Sequence, residues 1–410
     1  MRIRTIGLIL LTGILVASCY RLVYIEDENP ETGPAGIRVF NESVVHTIEL
    51  SIAGNDWQSI IDEAGAYENT NPDRPYYQAQ LRFDGEILDS DVGIRLKGHI
   101  SIQLSSGHSY PFKLDFNRYA EEQVLDGLKK LNLNNNFQGP PLTIVRDFVG
   151  YNAWREFGVA ASRTAFAHVM VNQEDLGLYV MVEQVDGGFI KRHFAGPYGD
   201  LYKPEQISGT LEYRGPSITD YPDIGHKWPD ESDHSSLLHA LEVLQSGQVG
   251  EIGEVFDIEG ILTYMAGFVA LGAFDYYPIT GHNYYLYESD PGRFTMLPWD
   301  MNGCLETMNP PLCSPLQGLL SGRLLEDPDL EARYRKILTD FLNSAGSPEQ
   351  LFARLDAAQQ IVGPAFPPEA FEGIRHDILT HVEWLRSEIG STSGCLSEHM
   401  TCLPQRSNLH

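Results

Sequence analysis

Alternation of apolar and polar residues with a period of two runs through the first half of the chain, and it constrains the fold more than any other feature. The alternating runs are HTIELSI at 46–52, YQAQLRF at 77–83, VGIRLKG at 92–98, PFKLDF at 111–116, AHVMVN at 167–172 and GLYVMVEQ at 177–184. Successive side chains of a strand point to opposite faces, so this pattern is typical of half-buried strands. Asp84-Gly85 between two of the runs is a hairpin-type turn. We therefore predict an antiparallel sheet in this half.

The second half has helical periodicity instead. Helices are predicted from a cap at Asp230 or Ser232 through about 244, from a cap at Asp257 through about 271, and over 329–344, 348–361 and 371–388. A further helix over 142–157 interrupts the strands, and the Gly- and Pro-rich segment 204–229 is predicted to be a surface loop. The chain is therefore predicted to be α+β, with a β-rich unit at 44–186, a helical unit at 187–389 and an irregular tail at 390–410. A cleft between such units is a usual ligand site.

The N-terminal residues resemble an export signal. Arg2 and Arg4 precede an apolar run over 6–16 that is too short to span a bilayer about 30 Å thick. Val16-Ala17-Ser18-Cys19 resembles the lipoprotein cleavage box, so we predict a signal peptide at 1–18, lipidation at Cys19 and a flexible tether over 19–43. The alternative is an ordinary signal peptide with an incidental cysteine. Tyr20 after the cysteine resembles outer-membrane sorting, so the expected location is the cell envelope, anchored by lipid at the outer membrane.

Four other cysteines remain if Cys19 is lipidated. They are Cys304, Cys313, Cys395 and Cys402, an even number in an oxidising compartment, so two disulfides are predicted. Four cysteines allow three connectivities, and spacing does not choose among them. Neither spacing matches the usual pattern of zinc ligands.

The formal net charge is −27 at pH 7, with 56 acidic against 29 basic residues. Such a charge opposes nucleic-acid binding. It also means that any site for phosphate groups must supply its own local cations.

The segment NYYLYESDPGRFTMLPWDMN, residues 283–302, has the pattern of a hairpin that turns at Asp290-Pro291-Gly292-Arg293. Pairing about that turn places Asn283 opposite Asp300, and opposed residues have Cβ atoms about 4.5–5.5 Å apart. Because a Pro-Gly type II turn does not match hairpin twist well, a longer loop with the register slipped by one or two residues is the alternative. An amide and a carboxylate at that spacing could share a hard cation such as Mg²⁺ or Mn²⁺. Asp275 lies eight residues upstream, and this order of acid, amide and acid is also that of protein kinases. Alternatively, these residues cap helices and turns, or hold a structural Ca²⁺ ion.

Several stretches together resemble the CotH-type kinases, the family named for spore coat protein H. They are VHTIELSI, FDGEILDSDVGIRLKG, YPFKLDF, LGLYVMVEQVDGGFI, DLYK, NYYLY and LPWD, in the order of the family and within residues 43–305. The resemblance implies an atypical protein-kinase-like fold of two lobes. It also implies ATP and a divalent metal as cofactors and phosphorylation of serine or threonine on a protein substrate.

The resemblance assigns roles to individual residues. Asp275 resembles the catalytic acid, Asn283 and Asp300 the metal ligands, Lys113 the lysine that meets the α- and β-phosphates, and Arg95, Lys97 and Glu183 further residues of the nucleotide site. For each of the basic residues the alternative is surface charge, and for Glu183 it is local pairing. The chain departs from the family pattern at His99-Ile100-Ser101, at His282, and at Asn302 where many members have a second acid.

Two functions follow as hypotheses. The first is an exported, lipid-anchored protein kinase acting on a surface or secreted protein. The second is a surface binding protein on the same fold that has lost catalysis and recognises a protein or glycan. The sequence identifies neither the substrate nor the oligomeric state.

Overall fold

A computed structural model of the chain describes residues 35–66, 74–137, 142–205, 209–307, 312 and 317–390. It contains both strands and helices, as the predicted α+β class requires. No helix within the described ranges is long and apolar enough to cross a bilayer. The proposed signal peptide, Cys19, most of the tether and the tail after residue 390 lie outside these ranges, so those predictions remain open.

Eight strands form the larger sheet, and all but one of them close into a barrel. The strands are β1 (Val45–Ile52), β2 (Tyr77–Phe83), β3 (Glu86–Ile87), β4 (Val92–Leu96), β5 (Phe112–Asp115), β6 (Lys130–Asn135), β7 (Thr164–Val171) and β8 (Glu174–Glu183). Their order is β1-β7-β8-β6-β5-β4-β2-β3, and β1 also pairs with β2, which closes the ring. In β1 the side chains of Ile48, Leu50 and Ile52 are buried and alternate with exposed neighbours, as the period of two predicts.

The smaller sheet has four strands in the order β10-β9-β11-β12. They are β9 (Leu201–Pro204), β10 (Ile224–Trp228), β11 (Tyr284–Asp290) and β12 (Arg293–Pro298). Strand β10 lies inside the segment predicted to be a surface loop, so that part of the prediction is wrong. Its five residues, IGHKW, lack an alternating pattern, and antiparallel backbone pairing with β9 determines their conformation.

Twelve α-helices are present within the described residues. They are α1 (Gly54–Gly65), α2 (Ile100–Gln103), α3 (Thr143–Glu156), α4 (Gly187–His193), α5 (Ser235–Ser246), α6 (Val249–Val255), α7 (Ile258–Ala270), α8 (Tyr277–Thr280), α9 (Leu319–Leu325), α10 (Pro328–Leu342), α11 (Pro348–Val362) and α12 (Pro368–Ile389). The predicted helices correspond to α3, α5, α7, α10, α11 and α12. Helix α1 and strand β6 were not predicted. Helix α3 is buried over almost its whole surface, because it packs against β6, β7 and β8 on one side and α11 on the other.

The hairpin forms where it was predicted, but its register is displaced by one residue. Tyr284 pairs with Pro298 and Glu288 with Phe294, whereas Asp290 pairs with Arg293 across the turn. Ser289 is therefore an extra residue on β11, a bulge that shifts every pair beyond it. A Pro-Gly turn does not match the twist of a two-stranded hairpin, and the bulge accommodates the mismatch. The predicted pairing of 283 with 300 is thus wrong by one position.

Cys304 is buried and has no disulfide bond. Its thiol donates a hydrogen bond to the carbonyl oxygen of Arg146 at 3.3 Å, and burial raises its pKa. The predicted disulfide at Cys304 is therefore not found, because the thiol faces helix α3 in the core. Its three candidate partners lie outside the described residues.

Candidate active site

Asn283 and Asp300 lie at the open end of the β11–β12 hairpin, Asn283 just before β11 and Asp300 just after β12. Both have left-handed backbone conformations, with φ of 59° and 63° respectively. Asn and Asp are among the non-glycine residues that tolerate this region best. The backbone N–H of Asp300 donates to the Tyr151 hydroxyl at 2.9 Å, and the Asn283 carbonyl accepts from the Tyr264 hydroxyl at 3.0 Å. Buried tyrosines of α3 and α7 thus fix both ends of the hairpin.

Asp275 contacts the residue that precedes β11 and acts electrostatically on Asp300. Its backbone carbonyl accepts a hydrogen bond from Nδ2 of Asn283 at 2.8 Å, and its carboxylate accepts one from Oγ1 of Thr280 at 2.7 Å. Burial raises the pKa of Asp300, and the charge of Asp275 raises it further, while Lys97 and Lys203 oppose the shift. The three polar side chains singled out in the sequence are therefore brought together around the end of this hairpin.

Two lysines from different sheets meet over one tryptophan beside Asp300. The Nζ atoms of Lys97 and Lys203 lie 5.6 Å and 5.4 Å from the ring centroid of Trp299, which is within the range of cation–π attraction. Burial lowers the pKa of both lysines, to about 8 for Lys203, although the charge of Asp300 acts in the opposite direction. Lys97 also donates a hydrogen bond to Oδ1 of Asn134. Both lysines are half-buried, and their ammonium groups are partly removed from solvent.

Asp147 on α3 is a second buried acid near these lysines. Its carboxylate accepts hydrogen bonds from Nδ2 of Asn134 at 2.8 Å and from the backbone N–H of Met301 at 3.1 Å. Burial and the charge of Asp300 raise its pKa, whereas Asn134 and Lys97 counteract the shift. Asp147 therefore links the helix to both the barrel and the hairpin.

Lys113 and Arg95 extend the positively charged region across the barrel. They are directly opposite each other on β5 and β4. Burial lowers the pKa of Lys113 well below its usual value, and the charges that act on it most strongly are all positive: Arg95, Lys130, Lys203 and Lys227. A buried ammonium among other cations is unfavourable unless an anion joins it. We call the group formed by Arg95, Lys97, Lys113 and Lys203 the cationic recess.

Glu183 has other partners. Its carboxylate accepts hydrogen bonds from Nε and Nη2 of Arg163 at 3.0 Å and 2.7 Å, and from Nη2 of Arg192 at 2.6 Å. Burial alone would raise its pKa, but the two guanidinium groups outweigh burial and lower the pKa to about 2. Glu183 is 2% exposed. Its carboxylate is thus bound by Arg163 and Arg192, and none of these contacts involves a residue of the cationic recess.

Comparison with known proteins identifies the family. The family model described as CotH kinase protein matches residues 94–390, which is most of the chain. The chain belongs to the CotH kinase family. It is 22% identical over 270 residues to the inner spore coat protein H of Bacillus subtilis, covering 60% of this chain and 71% of that protein. A crystal structure of the Helicobacter pylori proinflammatory kinase CtkA aligns with 80% of this chain and 95% of its own at 9% identity, with a TM-score of 0.31.

Several residues of the site in this CotH-family protein were missed by sequence reasoning. They are Lys203, Asp147, Asn134 and the indole of Trp299. The stretch DLYK at 200–203 was recognised as part of the family pattern, and its lysine alternates with the buried Tyr202, which is a usable signal. Asp147 lies in helix α3, most of whose residues are buried, and an acid in such a position needs a polar partner.

The departures from the CotH pattern lie directly at the site. Nδ2 of Asn302 donates to Oδ1 of Asp300 at 2.6 Å, so the amide occupies one oxygen of the predicted metal ligand. Burial, together with the charges of Lys203 and His99, lowers the pKa of His282 to about 4 against the opposing effect of Asp275, so this imidazole is neutral at pH 7. The site therefore has one fewer negative charge than the family pattern provides.

The donors present fit a hard divalent cation. Because Nδ2 of Asn283 donates to Asp275, its Oδ1 remains as an acceptor, and Oδ2 of Asp300 is the oxygen that does not bond Asn302. An amide oxygen and a carboxylate oxygen are ligands that suit Mg²⁺ or Mn²⁺. The cationic recess beside them would receive the phosphates that such a cation carries in kinases.

Proposed function

We propose that this CotH-family protein is a protein kinase that transfers the γ-phosphate of ATP to a serine or threonine of a surface or secreted protein. The observation that carries the proposal is the convergence of Asp275 and Asp300 with the cationic recess. In a chain with a net charge of −27, four half-buried basic side chains gathered at one place, with Asp300 acting on Lys97 and Lys203, would favour an anionic ligand.

We also propose that the chain has the two lobes of a protein kinase. The barrel with α3 would act as the N-terminal lobe and the helical part with the β11–β12 hairpin as the C-terminal lobe. Lys97 on the barrel and Asp147 on α3, joined through Asn134, would then resemble the strand lysine and helix acid of other kinases, so we propose Lys97 for the role that the sequence resemblance gives to Lys113. Glu156, the other acid of α3, accepts a hydrogen bond from Nε of Arg354 at 2.9 Å and is therefore engaged elsewhere.

The reaction assigns a separate task to each group. Asp275, held by Thr280, would orient the substrate hydroxyl and accept its proton as the oxygen attacks the γ-phosphorus. The bond from the γ-phosphorus to the bridging oxygen breaks, and ADP leaves with the electron pair. Lys113, Lys97 and Lys203 would balance the charge on the phosphates. A divalent cation held by Asn283 and Asp300 would supply further neutralisation of charge.

Export and anchoring form the second part of the proposal. The support is the sequence alone: the short apolar run at 6–16 and the box that ends at Cys19. The protein would then be held in the cell envelope by lipid, at the outer membrane, with its substrate on the same side. Globomycin treatment of cells that express the full chain should cause the unprocessed precursor to accumulate, and Cys19→Ser should abolish lipid labelling.

Calorimetry and phosphate transfer test the kinase proposal directly. Titration of ATP into the full chain with Mg²⁺ or Mn²⁺ should give binding that requires the metal and is lost in Asp300→Asn. Incubation with γ-labelled ATP and a generic protein substrate should label Ser or Thr, and Asp275→Asn should bind ATP normally but transfer no phosphate. Asp340→Asn, which changes an exposed acid on α10, is the matched control and should behave as the unaltered chain. Absence of metal-dependent ATP binding would refute the proposal.

Asn302 supports the alternative function. Because its amide occupies an oxygen of Asp300, this site would bind a metal ion more weakly than one with a second acid. The chain would then be a kinase-like protein that binds a protein or glycan without transfer. Asn302→Asp distinguishes the two functions. If the parent is inactive and Asn302→Asp transfers phosphate, the binding function without catalysis is favoured. If the parent itself transfers phosphate, the kinase function is favoured.

A further inference from the structure

Two histidines and one aspartate come together on the smaller sheet, outside the proposed active site. Asp200 precedes β9, His226 lies on β10, and His234 immediately precedes α5. One ligand atom from each residue lies within 4.8 Å of the others. We propose that Asp200, His226 and His234 form a binding site for a transition-metal ion, with Zn²⁺ as the preferred occupant.

The geometry suits one small ion shared by all three side chains. Nε2 of His226 lies 3.2 Å from Oδ1 of Asp200, and the two imidazole rings have centroids 5.1 Å apart at an interplanar angle of 81°. Zinc binds imidazole nitrogen and carboxylate oxygen at about 2.0–2.2 Å, so neighbouring ligand atoms around it are about 3.3 Å apart. Small side-chain rotations would bring the three atoms to that separation.

Surrounding hydrogen bonds orient these ligands. The Tyr202 hydroxyl lies 2.9 Å from Oδ2 of Asp200 and 2.9 Å from Nδ1 of His234, and the Ser232 hydroxyl donates to the same carboxylate oxygen. Metal-binding carboxylates and imidazoles are commonly held by such outer contacts. Oδ1 of Asp200, which is opposite the oxygen that accepts these bonds, is the one directed at His226. The side chains of Asp200 and His226 are 13% and 18% exposed, so the site is sheltered yet open to an ion.

The ligand types decide the class of metal. Two imidazoles with one carboxylate favour Zn²⁺ and its neighbours in the first transition series over Mg²⁺ or Ca²⁺, which prefer oxygen ligands throughout. Three protein ligands leave a fourth tetrahedral position for water or for the Tyr202 hydroxyl.

This site is separate from the cationic recess. Tyr202 and Lys203 are consecutive on β9, so their side chains point to opposite faces of the sheet. Lys203 contacts Trp299, whereas Tyr202 contacts Asp200 and His234. A bound ion would therefore join β9, β10 and the start of α5 on the face opposite the nucleotide site. The inference does not depend on kinase activity.

Zinc titration of the full chain, after removal of metals with a chelator, tests the site. Calorimetry with ZnCl₂ alone should show one ion per chain at this site, and the binding should persist in Asp300→Asn, which alters the other metal site. His226→Ala and His234→Ala should each weaken it by about 100-fold or more. His168→Ala is the matched control, because His168 forms a 2.9 Å pair with Asp175 and no third ligand joins them among the described residues, so its loss should change nothing.

A second measurement keeps the test independent of variant folding. Co²⁺ added to the unaltered chain should give the intense visible absorption of a tetrahedral site, and an equivalent of Zn²⁺ should abolish that absorption. His226→Gln, which retains the size of the side chain, should lack the absorption while keeping the far-UV circular dichroism of the parent. The proposal is overturned if the unaltered chain shows no tetrahedral spectrum, or if zinc binding survives in His226→Ala and His234→Ala.

Discussion

Raising the pH should weaken nucleotide binding, because the lysines of the cationic recess lose their protons. Burial lowers the pKa of Lys203 to about 8, and it also lowers those of Lys97 and Lys113. A bound phosphate favours the ammonium form, so each lysine has a higher pKa in the complex than in the free protein. The affinity gained in this way is fully present below the free pKa, about 8, and is lost as the pH rises towards the pKa in the complex.

The size of the effect follows from the titration of Lys203. With a pKa of about 8, roughly 90% of this side chain is charged at pH 7 and roughly 10% at pH 9. If ATP binds only the charged form, its affinity falls about tenfold between pH 7 and pH 9. A second lysine with a similar pKa would increase the loss to about 100-fold.

Calorimetry at a series of pH values measures this loss, and repeating the titration at pH 8 in buffers of different ionisation enthalpy counts the protons taken up. About half a proton per lysine should be taken up on binding at pH 8. In Lys203→Arg the guanidinium stays charged, so the decline should become shallower and the uptake smaller. Lys336→Arg, at an exposed position on α10, should leave both unchanged. An affinity that is constant or rises from pH 7 to pH 9 would refute the reasoning.

Further predictions concern metal binding and stability. Burial raises the pKa of Asp300, so protons should compete with the cation at a higher pH than for an ordinary carboxylate, and Mn²⁺ affinity measured by electron paramagnetic resonance should fall as the pH is lowered. The pKa of Glu183 is lowered to about 2, so its ionised form should contribute about 3 kcal/mol to the free energy of unfolding above pH 4.5. That contribution should be lost as the pH falls towards 2. The difference in the free energy of unfolding between Glu183→Gln and the parent, measured by urea denaturation, should therefore be smaller at pH 3 than at pH 7. Gly267→Ala would place a Cβ atom 2.1 Å from the ring of Trp154 and should lower the free energy of unfolding by about 1–3 kcal/mol, measured by urea denaturation. Gly373→Ala in α12, where a Cβ atom meets nothing within 4 Å, should instead raise it by about 0.5–1 kcal/mol.

Most strands of the barrel and most of the longer helices could be predicted because their patterns are local, although β6 and α1 were missed. Alternation in β1 and helical spacing in α10 each follow from which face packs on the core. Strand β10 could not be predicted in this way. Its hydrogen bonds go to β9, some twenty residues earlier, and its own five residues carry no alternation that would reveal the pairing.

The candidate site was predictable in part for the same reason. Asp275, Asn283 and Asp300 lie within 26 residues of one another, and a turn between two apolar runs indicates that the hairpin brings its ends together. The poor fit of a Pro-Gly turn to hairpin twist indicates that the register could slip by one or two residues, but the position of the bulge at Ser289 could not be predicted, because it depends on how the turn fits the twist of the sheet. Lys203 and Asp147 reach the site only through the packing of separate elements, and no local pattern reports such contacts.

Asn283 and Asp300 both have a left-handed backbone conformation, which offers one explanation for an amide and a carboxylate at these positions. Conformation alone would account for Asn283 and Asp300, since both residue types tolerate positive φ. Glycine, however, satisfies the same conformation without a side chain and without placing a carboxylate where burial raises its pKa. A carboxylate at that place is unfavourable for the protein by itself and becomes favourable beside a cation. The lysines of the cationic recess have the opposite need, since burial lowers their pKa in the absence of an anion. Lys97, Lys203 and Asp300 meet part of these needs among themselves, because their charges oppose the effect of burial on one another. The proposed metal ion with its phosphates would meet the remainder, which a purely conformational role would leave unmet.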